Sequence, residues 1–181
     1  MGKINYSKIM AIFIAVIMVL SVLGYVGGSL ASESKKIEYN GYSFVQNGNM
    51  WRLIEYEDYY FQYLPDELEN VSTPPLTYLS SNKIYLGFKP NDNISVGNSM
   101  SSVSYLLYSK NIIPQEACTI EEGCPDIPII DCESNQGIIM ISGNSNTYSQ
   151  NEKCLIITAT DTQELSRLTE RFIYQQLGVI G

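Results

Sequence analysis

Residues 154–181 read CLIITATDTQELSRLTERFIYQQLGVIG. Cys154–Ala159 is an apolar run bounded by polar residues, which predicts a strand. Asp161 then stands where a helix N-cap is needed, with Glu164 three residues on in the reciprocal capping-box position. Leu165, Leu168, Phe172, Ile173 and Leu177 fall on one face at helical spacing. Gly178 supplies the left-handed stop, after which Val179 and Ile180 can fold back over the last turn. A strand followed by a capped amphipathic helix therefore closes the chain.

Working back from there, Ile138–Ser142 and Ile127–Cys132 are two further apolar runs, separated by the turn-like stretch Ser134–Gly137. Met100, Val103 and Leu107 repeat at helical spacing, with Leu106 beside them, and predict a helix over Gly97–Asn111 that Pro114 ends. Ile84–Phe88 reads as a strand. In the first half, Tyr42–Gln46 alternates as a strand, and Asn47-Gly48 is a hairpin signal because both residues tolerate positive φ. Met50–Tyr56 is the return strand, and Tyr59–Leu64 a third that Pro65 stops. Asp66–Pro75 is acidic and proline-containing, a surface loop. Runs of strands with segregated helices predict an α+β domain with antiparallel strands and two helices.

Ahead of this domain, Ile9–Val26 reads IMAIFIAVIMVLSVLGYV and carries no charge. As a helix it is about 27 Å long at roughly 1.5 Å per residue, close to a bilayer's hydrocarbon thickness. The expectation is an N-terminal transmembrane signal-anchor in contact with membrane lipid. Lys3 and Lys8 precede it and favour a cytoplasmic N-terminus, while Lys35 and Lys36 weaken that bias. The competing reading is a signal peptide cleaved after Ser29-Leu30-Ala31. Either way the body lies outside the cytoplasm. The expected organisation is residues 1–31 as cytoplasmic tail and anchor, 32–38 as tether, and 39–181 as an extracytoplasmic domain in a single-pass cell-membrane protein.

The first 36 residues hold four lysines and one acid, leaving the body with 7 basic and 18 acidic residues, a net charge of -11. Such a body is repelled by phosphate backbones, so nucleic-acid binding is set aside. The 181 residues contain no histidine, which excludes Ser-His and Cys-His triads and removes the commonest metal ligand. No stretch calls for a cofactor.

The four cysteines, Cys118, Cys124, Cys132 and Cys154, are even in number and sit in a domain expected outside the cytoplasm, which implies disulfides. Three connectivities are open. Cys118 and Cys124 bracket the short loop TIEEG, while Cys132 ends one apolar run and Cys154 begins another. That favours Cys118–Cys124 and Cys132–Cys154. Paired C-x2-C spacing is lacking, which argues against zinc. Asn70-Val71-Ser72 and Asn93-Ile94-Ser95 are glycosylation sequons consistent with export, making Asn70 and Asn93 candidate acceptors.

Nine aromatics fall between Tyr39 and Tyr63. Some alternate inward as core, and the rest can form a binding face for protein or glycan, with Trp51, Tyr56, Tyr59 and Tyr60 the candidates. The acids Glu55, Glu57, Asp58, Asp66, Glu67 and Glu69 lack the glycine-turned calcium loop and read as a solvated face. A carboxylate pair for glycoside hydrolysis can be drawn from them, but their spacing does not favour it.

The segments YSFVQNGNMWRLIEYEDYYFQYLPDEL, KIYLGFKPND, IPIIDCES, NEKCLIITATD and LTERFIYQQLGVIG, in that order, resemble a group of small archaeal proteins. These have one N-terminal membrane span and an uncharacterised exported domain. The Cys132 and Cys154 runs and the C-terminal helix carry the resemblance best; the Cys118–Cys124 loop departs from it. The resemblance implies an archaeal source and a cell-envelope location, and no activity. The expected function is a membrane-anchored extracytoplasmic protein that binds or scaffolds a protein or glycan partner in the envelope without catalysis. The alternative is a carboxylate-based extracellular glycan hydrolase. A concave pocket with two convergent titratable side chains would point to the hydrolase.

Overall fold

The computed structural model describes residues 10, 12–21, 35–56, 59–71, 81–151 and 153–181. The chain divides into two units, Met1–Lys36 and Ile37–Gly181. In the first, residues 10 and 12–21 are helical (α1), and the rest of the stretch 9–26 lies outside the described residues. Among the described residues no helix is long and apolar enough to cross a membrane. That finding corrects the transmembrane element of the expected architecture, of which residues 10 and 12–21 are described.

Strands β1 (Lys36–Tyr39), β2 (Tyr42–Asn47), β3 (Met50–Leu53) and β4 (Tyr60–Phe61) form a sheet in chain order. β1 takes up the end of the stretch expected as tether, and turns into β2 through Asn40 and Gly41, both at positive φ. β2 and β3 pair antiparallel with Asn47 opposite Met50, so the two-residue turn is Gly48-Asn49, one residue later than the sequence signal. Pro65 opens a 3-10 turn, Pro65–Leu68, whose Glu67 carboxylate accepts the Leu64 N–H at 2.7 Å.

The remaining elements are β5 (Lys83–Phe88), α2 (Gly97–Ser109), β6 (Ile113–Cys118), β7 (Gly137–Ser142), β8 (Thr147–Asn151), β9 (Cys154–Ala159) and α3 (Thr162–Leu177). The strands form a five-stranded sheet in the order β6-β5-β7-β9-β8. β5 is parallel to β6 and β7, and β7 is parallel to β9; the edge strand β8 runs antiparallel to β9. The antiparallel α+β expectation is thereby corrected to a mixed α/β fold with two sheets. The cause is the crossover: α2 lies between β5 and β6 and returns the chain in the same direction, which parallel neighbours require. The short loop 143–146 steps over the end of β9, with the Gly143 N–H donating to the Ala159 carbonyl at 2.9 Å. A side chain at Gly143 would meet the Thr158 methyl at 2.2 Å, so this crossing requires glycine.

One core joins the two sheets. Phe44, Leu53 and Phe61 of the small sheet, Met100, Val103, Leu106 and Leu107 of α2, and Leu86, Met140 and Ile157 of the large sheet belong to a single buried cluster. α3 runs between the sheets. Seven consecutive residues, Leu168–Tyr174, are buried, covering the helix all round rather than along one stripe. Asp161 caps it by accepting the Glu164 N–H at 2.9 Å, and Gly178 sits at φ 76°, but the expected reciprocal bond is absent among the described residues because the Glu164 carboxylate binds Asn146 and Arg167. Asn40 Nδ2 donates to the Val179 carbonyl at 3.2 Å, and the Tyr42 hydroxyl to the Leu177 carbonyl at 3.3 Å, which fastens the β1–β2 corner to the end of α3.

The other face of the large sheet carries a smaller apolar cluster around Ala117, Ile130, Ile139 and Cys154. The segment between β6 and β7 covers it. Disulfides join Cys118 to Cys124 (Cα–Cα 6.0 Å) and Cys132 to Cys154 (5.4 Å), the connectivity favoured by the spacing. The strand expected at 127–132 is corrected: that stretch makes one isolated bridge, Ile129 to Cys118, within an otherwise irregular segment. Pro125 and Pro128 lack the N–H groups that a ladder needs.

Candidate functional site

In open parallel sheets the usual ligand crevice lies outside the strands' carboxyl ends, where the strand order reverses. Here that point is between β5 and β7, and Asp92 spans it. Its carboxylate accepts the Ser142 N–H at 2.8 Å, the Ser142 hydroxyl, and the Asn93 N–H at 2.8 Å. Burial acts to raise its pKa, but these bonds and nearby Lys89 outweigh burial and hold it below the usual carboxylate range. Its bonds to Ser142 tie the segment after β5 to the end of β7, a brace between strand ends.

A more open concavity lies where the small sheet overhangs the two helices. One lobe, about 290 Å³, is lined by Tyr59, Tyr60 and Phe61 from the start of β4, Tyr105 from α2, and Ile173 from α3. The second lobe, about 340 Å³, is lined by Gln62, Asn98, Ser99, Ser166 and Thr169. Met50, Ser101, Ser102 and Glu170 line both, so the lobes are halves of one groove. One half is aromatic and apolar, the other hydroxyl-rich.

Local structure explains the division. α2 reads GNSMSSVSYLLYS: Met100, Val103, Leu106 and Leu107 enter the core, which turns Ser101, Ser102 and Tyr105 outward toward the sheet's overhang. The Ser101 and Ser102 hydroxyls donate back to the Gly97 and Asn98 carbonyls at 2.9 and 3.1 Å. Tyr59 is buried, packs edge-on against Tyr105 with centroids 4.8 Å apart, and shares a hydrogen bond with the Ser109 hydroxyl at 3.0 Å. Burial raises the Tyr59 phenol, partly offset by that bond.

At the base sits Glu170, 8% exposed. Its two carboxylate oxygens accept the Gln62 and Tyr63 N–H groups at 2.8 and 2.9 Å, ending the ladder of the small sheet just past β4. Burial pushes its pKa from the ordinary 4.5 up to about 7; the two N–H bonds oppose the rise, and Glu67 adds to it. Beside it, the Thr169 hydroxyl oxygen is buried with no hydrogen-bond partner among the described residues, in a residue only 1% exposed.

The four aromatics anticipated as a binding face separate. Tyr60, 43% exposed, lines the groove; Tyr59 lines it from below; Tyr56 is exposed elsewhere and meets Tyr59 edge-on at 5.9 Å. Trp51 packs half-buried against the main core. The acids of the same region are spread among local duties. Glu55 accepts the Ser43 N–H through both oxygens, and Glu69 accepts the Tyr39 hydroxyl at 2.7 Å, while residues 57 and 58 lie outside the described residues. Among the described residues no three acidic or cysteine side chains gather as metal ligands. Asn70 and Asn93 are exposed, though Ser72 of the first sequon lies outside the described residues. The sequence reading did not reach Glu170, Thr169, Ser101, Ser102 or Tyr105. No signal singled Glu170 out, because it stands among Arg167, Thr169 and Arg171 in a helix that reads as amphipathic.

Comparison with protein-family profiles, curated proteins and solved structures found no match to this chain.

Proposed function

We propose that the protein is an exported, non-enzymatic component of the cell envelope that binds a partner through the groove between its small sheet and its helices. The observation that carries this reading is the groove's lining: among the described residues, aromatic rings, hydroxyls and amides stand around one carboxylate already held by two backbone N–H groups. An acid–base pair for hydrolysis needs a second carboxyl about 5–9 Å from the first. Of the acids that the sequence offered for that role, Glu55, Glu67 and Glu69 serve local bonds instead. Two disulfides support an oxidising compartment, and exposed Asn93 agrees with export. The resemblance to archaeal exported domains supports the envelope as the location.

The test is to incubate the purified full-length chain with envelope fragments of its source organism, then measure sedimentation and released reducing sugar together. The expected result is co-sedimentation without release. Sugar release that Glu170→Gln abolishes would overturn the non-enzymatic reading in favour of the hydrolase. Failure to sediment would remove the envelope as its partner.

A further inference from the structure

We propose that the groove's ligand is a neutral saccharide, one or two rings in size, with Tyr60 as the stacking platform and Ser101, Ser102 and Thr169 as partners for its hydroxyls. This rests on the binding reading above and names the chemistry of what is bound.

The argument begins with charge. Among the described residues no lysine or arginine lines either lobe, so the described lining offers no cation to a phosphate, sulfate or carboxylate. The one acid among the described lining residues, Glu170, has both oxygens engaged by backbone donors, which leaves it less to offer a cation. A ligand that fits is uncharged.

Polarity narrows it further. A purely apolar ligand would strand the hydroxyl wall without water, and each unpartnered polar group so buried costs free energy. Ser101 and Ser102 each spend their proton on the helix backbone, which leaves their oxygen lone pairs to accept. Thr169 has the opposite history. Its hydroxyl is buried and has no hydrogen-bond partner among the described residues, so a ligand hydroxyl that reached it would supply one. Donors on a ligand would satisfy the serines, and a hydroxyl, which both donates and accepts, suits Thr169. A ligand with several hydroxyls on one side and C–H groups on a face meets both walls at once. That is the chemistry of a pyranose ring, whose C–H face packs on an aromatic side chain. Tyr60 is exposed at the groove's rim and available for that contact. The lobes, about 290 and 340 Å³, lie at the small end of ligand sites and admit a short saccharide rather than a long chain.

The experiment titrates the full-length chain by calorimetry or NMR with methyl glycosides of glucose, galactose, mannose and N-acetylglucosamine, and with glucuronic acid. At least one neutral glycoside should bind, and better than glucuronate. Tyr60→Ala should weaken it about tenfold, roughly 1.4 kcal/mol of binding free energy. Thr169→Val, which keeps the side chain's shape, should weaken it several-fold while thermal stability holds or rises. Tyr108→Ala, an exposed α2 position outside the groove lining, should leave binding unchanged. Tighter binding of glucuronate, or equal loss from Tyr108→Ala, would overturn the proposal. So would the absence of binding by every sugar. In that last case, sedimentation with envelope fragments that Tyr60→Ala abolishes would keep the groove as a binding site and assign it to a partner other than saccharide. Sedimentation indifferent to Tyr60 would remove the groove from both readings.

Discussion

Glu170 stands in a helix between two sheets, in a position that packing alone would give to an apolar residue. What keeps a carboxyl there is the pair of N–H groups at Gln62 and Tyr63, which would otherwise be donors without partners where β4 ends. The compensation is incomplete, since its pKa still rises to about 7. The fold therefore prefers the protonated acid. A group whose folded pKa exceeds its unfolded value contributes stability that is fully present below the unfolded value and is lost as pH rises through the folded one. From pH 4.5 to about 7 the domain should lose stability on this account, by at most about 3 kcal/mol. Urea midpoints measured across that range on the wild type and on Glu170→Gln check it. The variant, which cannot titrate at this position, should show a flatter profile. An equal slope in both would assign the pH dependence to other groups.

At the scale of elements, legibility followed hydrophobic contrast. α3 and β9 could be read because their apolar residues recur at one period between polar boundaries, and Asp161 and Gly178 mark the helix ends by their chemistry. β6 and β8 could not. Both are edge strands of the large sheet: β8 reads TYSQN and is largely exposed, while β6 contains Pro114, which an edge strand tolerates and which the sequence presents as a helix stop. Missing those two strands hid the crossover, and with it the parallel sheet. The groove was still less legible, because its serines look like surface residues of α2 until the small sheet overhangs them. The disulfides were legible from spacing, although the strand assigned to Cys132 was not real. They should differ in weight. In the chain-entropy account the Cys132–Cys154 bridge, closing a separation of 22, contributes about 3 kcal/mol, against about 2 for Cys118–Cys124 with a separation of 6. The Cys132→Ala/Cys154→Ala double variant should therefore unfold at lower denaturant than Cys118→Ala/Cys124→Ala. The reverse order would show that native strain or residual structure in the unfolded chain outweighs loop closure.

At the scale of the whole folded unit, Ile37–Gly181, the question is whether two sheets make one cooperative body. A sheet of four short strands, the last of two residues, needs its apolar face covered to be stable in water. Its stability has to come from α3. Tyr174, fully buried, stacks on Phe61 with centroids 4.0 Å apart, meets Phe44 edge-on at 5.9 Å, and donates its hydroxyl to the Tyr63 carbonyl at 2.8 Å. The opposite side of α3 packs on β9 and the large sheet, so losing the helix exposes both cores at once. The single tryptophan, Trp51, lies in β3 opposite Phe61 and reports on the small sheet and its packing on the core, whereas far-UV circular dichroism is dominated by the helices and the large sheet. The two signals should trace one superimposable transition in urea, as two-state unfolding requires. Tyr174→Ala should move both curves together to lower denaturant, by about 3–5 kcal/mol, the usual cost of truncating a large buried aromatic. If the Trp51 signal is lost first, the small sheet is a separable flap on a stable α/β layer. The groove would then open and close with that flap instead of standing preformed.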